Sequence, residues 1–415
     1  MDQGMRHRIV LLVCSVLTAL AAGEILIRCL GHYTAEGEFY VGSRRLKPYH
    51  LPLKSITVKI HAYLSSPGSF MMYDPLLGWS PRPLSRSRNG LYIYNSDGIR
   101  TASPGRAIPR TPPPRTLRIA LFGDSFVHGD DVPFEETLGN YIEQCLGDAG
   151  VSAEVLNFGA SGYGLDQAFL RWKEIGKAFS PHVVLAGFQA ENVKRNVNMI
   201  RPLYGPRTGI PFAKPRYILE GGVPQLINVP TPDPKQLITI LEHISSWNLI
   251  RYEYWFDPRD YESRIWLKSK LISFIIRGID LLRNQSPHGN KNVYHTQGEP
   301  ARVTVKILEE FAREVEAAGG MLYVVHLPKR EDLKILRRGR TLPYANLLRE
   351  LEAIAPVIHA EEHLLKEARS ASPKKLYLSH FTAEGNRIVA NAVCEFILKS
   401  SVSTAQASGI DVLRN

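Results

Sequence analysis

The chain has 415 residues, 44% of them hydrophobic and 22% charged, enough for one large domain or two modest ones with a proper core. Its 51 Lys and Arg outnumber 40 Asp and Glu, giving a formal net charge of +11, which suits anionic envelope polymers or lipid. The basic residues are scattered, and neither a zinc-finger spacing nor an aromatic-rich RNA-binding signature occurs, so nucleic acid is excluded as a partner.

The first element is "MDQGMRHRIVLLVCSVLTALAAGEILIRCLGHY". Arg6, His7 and Arg8 precede an apolar run of about 15 residues from Ile9 to Gly23. Glu24 interrupts the run, and continuation through Leu30 makes it long enough to span, with Glu24 and Arg28 near the far end. Residues 1–31 are therefore expected to be a retained signal anchor. The alternative is a signal peptide cleaved at "ALAAG". The basic residues place the N-terminus inside a bacterial inner membrane and the remainder on the periplasmic side. Cys14 and Cys29 lie in or beside this segment, and Cys145 and Cys394 lie in helix-like patterns. No Cys-x-x-Cys occurs, so neither a disulfide framework nor a thiolate metal site is indicated.

Residues 32–102 read as short strands and turns, a small β-rich lobe containing "MMYDPLLGWSPRP" and "GLYIYNSDGIR". "SPGRAIPRTPPPR" at 103–115 is a stiff, Pro-rich connector. From 116 to 400 strands alternate with helices. "LRIALFG", "AEVLNFG", "HVVLAGF", "MLYVVHLP" and the short "APVIHA" are strands. Helices are expected over "PFEETLGNYIEQCLGDAG", about 165–178, "VKILEEFAREVEAAGG", "TLPYANLLRELEAIA" and "TAEGNRIVANAVCEFILKS". Such alternation predicts a parallel sheet covered on both faces. The pattern breaks at about 200–300, an insertion with hairpin character followed by a long, aromatic, helical segment over "WNLIRYEYWFDPRDYESRIWLKSKLISFIIRGIDLL". Residues 401–415 are expected to be a flexible tail.

Four segments carry candidate chemistry. In "LFGDSFVHG" Ser125 follows a strand and opens a helix, which exposes it at the carboxyl edge of the sheet. A hydroxyl there needs a nearby base to act as a nucleophile. "NFGASGYGLDQ" carries Gly159, Gly162 and Gly164, whose backbone can approach a ligand, and Gly162 can offer an N–H to an oxyanion. "SPHVVLAGFQAENVKRN" ends in Asn192 and Asn196, and an Asn amide is a suitable second donor. In "LYLSHFTAEGNRIVANAV" His380 precedes a helix that Thr382 can cap.

In this order the segments resemble the conserved blocks of the SGNH family of GDSL-type hydrolases. The resemblance covers 117–200 and 300–400, and "YDPLLGW" and "NSDGIR" resemble the N-terminal lobe of membrane-anchored bacterial members. It implies a flavodoxin-like αβα sandwich. It also implies Ser125 as nucleophile, His380 as general base, and an oxyanion hole formed by the Ser125 and Gly162 N–H groups with the Asn192 amide.

One departure concerns the acid that the family places three residues before the histidine. That position is Tyr377, and "GND" in the third block is replaced by "AEN". Three outcomes stay open: a Ser–His dyad helped by a backbone carbonyl, an acid from elsewhere such as Glu361 or Glu362, or a weakened or inactive enzyme, the last being what a non-catalytic reading rests on. Asp124 is expected to structure the nucleophile turn, and His128 to line the pocket or to sit in a loop. His326 is read as structural, and Asp130 with Asp131 as an exposed turn. No His/Asp/Glu spacing suits a metal, and no other cofactor is called for. The expected activity is hydrolysis of an O-acyl ester, acetyl foremost, on an extracytoplasmic glycan or small ester. O-acyl transfer to a polysaccharide and a non-catalytic glycan-binding role are the alternatives.

Overall fold

The apolar run that begins near Ile9 forms one helix. In the computed structural model, which describes residues 3–34, 37–51, 53–66, 70–205, 208–282, 292–370 and 373–408, α1 covers Gln3–Leu30. It is the one helix among the described residues long and apolar enough to cross a membrane, a test a signal sequence also passes. Without an intervening residue the chain enters a three-stranded antiparallel sheet of β1 (Gly31–Tyr33), β2 (Phe39–Val41) and β3 (Arg44–Leu46). A helix not expected from the sequence follows, α2 (Leu53–Ser65), and then a hairpin of β4 (Met71–Asp74) and β5 (Gly78–Pro81).

The main sheet holds β6 (Leu117–Phe122), β7 (Ala153–Asn157), β8 (Val183–Phe188), β11 (Met321–His326) and β12 (Val357–His359), all parallel, in the order β12-β11-β8-β6-β7. Counted along the chain and read from the β7 edge this is 2-1-3-4-5, the flavodoxin-like order, with its switch point between β6 and β8. Side chains alternate across each strand. On β6, Ala120 and Phe122 join a core under α5 (Leu165–Glu174), α11 (Glu299–Ala317) and α13 (Ala345–Glu352). Ile119 and Leu121 join the opposite core, under α4 (Leu138–Asp148), α12 (Arg330–Arg337), α14 (Ala360–Ser370) and α15 (Ala383–Ser408). Trp79 and Ile99 of the N-terminal lobe are fully buried in the first core.

Three expectations need correction. Cys145 on α4 and Cys394 on α15 form a disulfide. The spacing motif was uninformative because the two residues are 249 positions apart and meet only when both helices cover one face. The insertion does contain a hairpin, β9 (Arg216–Glu220) with β10 (Val223–Ile227), and α8 (Pro234–Glu242). Its aromatic stretch, however, is broken. Short turns and α9 (Pro258–Tyr261) precede the one sustained helix, α10 (Lys270–Leu282). Pro258 supplies one stop, and Glu253 anchors another by accepting the N–H groups of Met199, Ile200 and Trp255. Finally, α15 continues through Ser408, into the expected tail, of which 409–415 lie outside the described residues.

Candidate active site

β6 ends at Phe122, and the chain turns at once into a one-turn helix, α3 (Ser125–His128). Asp124 caps it, its carboxylate accepting the Phe126 N–H at 3.0 Å. The same carboxylate gathers donors from the end of β8: Gln189 Nε2, Arg195 Nη1 at 2.7 Å and Asn192 Nδ2 at 3.3 Å. Arg195, on α6 (Ala190–Arg195), and Asn192 also donate to Tyr163 O, at 2.9 and 3.3 Å. The loops after β6 and β7 are thus tied together by side chains from the third strand.

Gly159 and Gly162 have distinct duties in the second loop. A Cβ on Gly159 would lie 2.4 Å from His128 N, so only glycine lets this loop pass under α3. Gly162 sits at φ +80°, in the left-handed region. The N–H groups of Ser125 and Gly162 donate to no group among the described residues.

Ser125, Phe126 and His380 line one cavity of about 280 Å³, together with Gln189, Arg195 and the segments around Lys329 and Ser379. The Phe126 and His380 rings meet edge to face at 5.1 Å. Thr382 accepts the Gly385 N–H at 3.2 Å and so caps α15 just beyond the histidine. Asn192 is 1% exposed and is not part of the cavity wall. Gln189 and Arg195 occupy that wall instead. Gly162 is likewise outside the cavity lining.

The carboxylate that meets His380 is that of Asp131, read from the sequence as part of an exposed turn and exposed here. Asp131 Oδ2 lies 2.9 Å from His380 Nδ1 and also accepts from the His380 N–H and the Ser379 hydroxyl. Burial works to raise the Asp131 pKa, but the bonds from Ser379 and His380 outweigh it and hold the carboxyl below its ordinary value. A carboxylate accepting from Nδ1–H leaves the other ring nitrogen free to act as a base.

Asp131 sits at φ +74°, a conformation non-glycine residues rarely adopt, with Asp among the more tolerant. Its loop is braced by Arg100 of "NSDGIR", which is 1% exposed. The Arg100 guanidinium donates to the carbonyls of His128, Gly129 and Val132, the last two at 2.6 Å. Asp131 N also donates to the Tyr92 hydroxyl at 3.2 Å.

The other expected candidates fall elsewhere. His128 is fully buried away from the cavity, between Tyr94 OH at 2.7 Å and Asp130 at 2.5 Å, and burial lowers its pKa. Tyr377 is 3% exposed and donates to Pro328 O at 2.9 Å, so the position where an acid was expected belongs to the core. Glu361 is not the missing acid. Its two oxygens take His326 Nδ1 at 2.7 Å and His359 Nδ1 at 2.8 Å. Glu362 is exposed. Among the described residues, His326, His359 and Glu361 are the group whose donor atoms lie close enough to hold a metal ion. Here the carboxylate bridges both imidazoles directly, one oxygen to each, and His326 Nε2 meets Tyr344 OH at 3.2 Å.

No protein-family model matches the chain, and no curated protein matches it either. Among solved structures the chain is similar to a catalytic mutant of an acetylxylan esterase from Geobacillus stearothermophilus, at 12% identity and a TM-score of 0.34, covering 72% of this chain and 97% of that one. It is also similar to an acetyl xylan esterase, at 12% identity and a TM-score of 0.35, covering 68% and 100%. A third is an alpha/beta hydrolase enzyme from the metagenome of Lake Arreo, at 11% identity and a TM-score of 0.34, covering 67% and 94%.

Proposed function

We propose that the protein is a serine esterase of the SGNH type. The observation that carries the reading is the Asp131–His380 pair beside Ser125 at the carboxyl edge of the sheet, at 2.9 Å. Ser125 Oγ attacks the ester carbonyl while His380 takes its proton. The unpaired Ser125 N–H on the cavity wall receives the charge that develops on the carbonyl oxygen, while Gly162, whose N–H is also unpaired, lies outside that lining. Asn192 acts through the brace that holds these two loops, and Arg195 is the cation on the adjoining wall. His380 then returns its proton to the departing alcohol, and water releases the acid from the acyl-enzyme. Asp131 orients the imidazole and stabilises its cation, so the argument for a degenerate, non-catalytic site, which rested on a missing acid, loses its support.

The cavity of about 280 Å³ suits a short acyl group such as acetyl better than a long chain. The Cys145–Cys394 disulfide favours an oxidising compartment, and α1 with Arg6 and Arg8 before it favours a membrane anchor with the catalytic domain outside. An acylated extracytoplasmic glycan is the substrate class these features favour. The test is p-nitrophenyl acetate turnover by the full chain beside Ser125→Ala and His380→Ala, with fluorophosphonate labelling of Ser125. Both variants are expected to lose turnover, and undiminished rates in both would overturn the assignment.

A further inference from the structure

Glu24 is a carboxylate inside the apolar N-terminal helix, and α10 accounts for it. One Glu24 oxygen accepts from Leu271 N at 2.8 Å and Ser269 Oγ at 2.7 Å. The other accepts from Lys270 N at 3.0 Å and Arg28 Nε at 2.7 Å. The orphan N–H groups of the first turn of α10 are thereby capped by a side chain of α1. Around this joint Leu271 packs on Gly23, and Ile27, 7% exposed, clusters with Phe39, Leu46, Leu271 and Phe274.

The outer side of α10 is apolar and uncovered. Ile272, Ile275, Ile279 and Leu282 are 39%, 49%, 40% and 87% exposed, and Ile265 and Trp266 just before the helix are 76% and 49% exposed. At about 100° per residue the four helical residues form one stripe. That stripe adjoins Leu271, the residue that touches α1. On the opposite side Asp280 pairs with Lys47 at 2.7 Å, which fixes the polar face against the domain. The uncovered stripe is therefore continuous with the exposed apolar surface of α1.

Length sets the depth. A hydrocarbon core of about 30 Å needs roughly 20 helical residues. Counted from Ile9, the span ends near Arg28. Glu24 then lies about 6 Å inside the outer boundary at a rise of about 1.5 Å per residue, and the first turn of α10 is drawn to that level with it.

We infer that α10 is a second membrane contact, an amphipathic helix lying in the outer interface of the bilayer that α1 crosses, with Glu24 as the joint between them. The occupant of the stripe is lipid. Lys270, the first residue of α10, and Lys268 just before it provide the cations that favour anionic headgroups. The inference shares α1 as a membrane span with the proposed function but not its ester chemistry.

The test uses the full chain reconstituted in phosphatidylethanolamine–phosphatidylglycerol vesicles, some carrying a quencher high on the acyl chain. Trp266 is read as the difference between the unsubstituted chain and Trp266→Phe, a subtraction that removes the signal of the other four tryptophans, half-buried Trp247 included. Quenching of the Trp266 component by lipid-borne quencher, and its loss in Ile275→Asp/Ile279→Asp, are expected. Flotation of the same samples reports α1 separately. A chain that floats while Trp266 is quenched only by aqueous iodide overturns the inference and leaves the anchor standing. Cross-linking between copies through Ile279→Cys, without lipid quenching, overturns it in favour of self-association. A chain that does not float overturns both readings.

Discussion

Asp131 shows how one side chain can be invisible in sequence and decisive in space. Ser125 and His380 were legible because each sits at a strand-to-helix or loop-to-helix junction with a recognisable pattern. The role of Asp131 was not, because nothing in "GDDVP" says that this exposed turn, braced by Arg100, brings Asp131 against His380 of the C-terminal segment. Asp131→Asn keeps the shape and removes the negative charge. Its kcat is expected to fall by about 10³–10⁴-fold with little change in KM, by analogy with loss of charge in other triads. Steady-state kinetics on p-nitrophenyl acetate check this, and a fall under tenfold would count against the role.

The Glu361 bridge makes a separate statement about pH. Its bond to His359 is the largest cause that raises the histidine's pKa, from 6.5 to about 9. That contribution to stability is complete below about pH 6.5 and is lost as pH rises through about 9. Burial works to raise the Glu361 pKa, but the bonds from His326 and His359 outweigh it and lower it from 4.5 to about 2. That contribution is complete above about pH 4.5 and is lost as pH falls toward 2. The melting temperature should therefore peak near pH 5–6 as far as this bridge is concerned. Glu361→Gln should flatten both limbs, as thermal melts from pH 3 to 10 would show.

Among the elements, the five parallel strands and the covering helices α4, α5, α11, α13 and α15 were legible because each strand is a short apolar, β-branched run and each helix has an amphipathic period. The covering helices α12 and α14 were missed. Two other stretches were misread. α2 has an amphipathic period, but Gly- and Pro-rich neighbours outweighed it in the sequence. The stretch before α10 has helix-forming side chains, yet buried Glu253 recruits its backbone into turns. The disulfide belongs to this scale as well. α4 follows the Asp131 loop and α15 follows His380, so Cys145–Cys394 fastens the two helices that begin where acid and base meet. Closing a loop of 249 residues contributes up to about 5 kcal/mol by restricting the unfolded chain. Cys145→Ser with Cys394→Ser should lower the denaturation midpoint by a corresponding amount. Reductant should do the same to the unsubstituted protein and nothing further to the variant.

For the molecule as a whole, composition excluded little and topology decided most. The order β12-β11-β8-β6-β7 puts the switch point beside Ser125, and the loops after β6, β7 and β8 meet there. The N-terminal lobe, which the Pro-rich connector seemed to set apart, is buried into the same core through Trp79 and reaches the site through Arg100. Its integrity is therefore part of the site's integrity. The proposed anchor topology predicts that an alkaline phosphatase fused after residue 408 is active in bacterial cells. The same fusion on a chain whose Arg6 and Arg8 are moved beyond Leu30 should lose most of that activity.

On the proposed anchoring, the absence of any residue between α1 and β1, together with the Glu24 joint, makes α1 a stem and not a leash. With α1 in the bilayer, the Ser125 cavity would then stand at a set height and a set tilt above the surface. It cannot sweep a volume as a domain on a flexible tether does. On the proposed reading of a glycan ester substrate, the polymer would have to pass through that one layer to be processed, and the distance from the membrane would act as a ruler for which esters are reached.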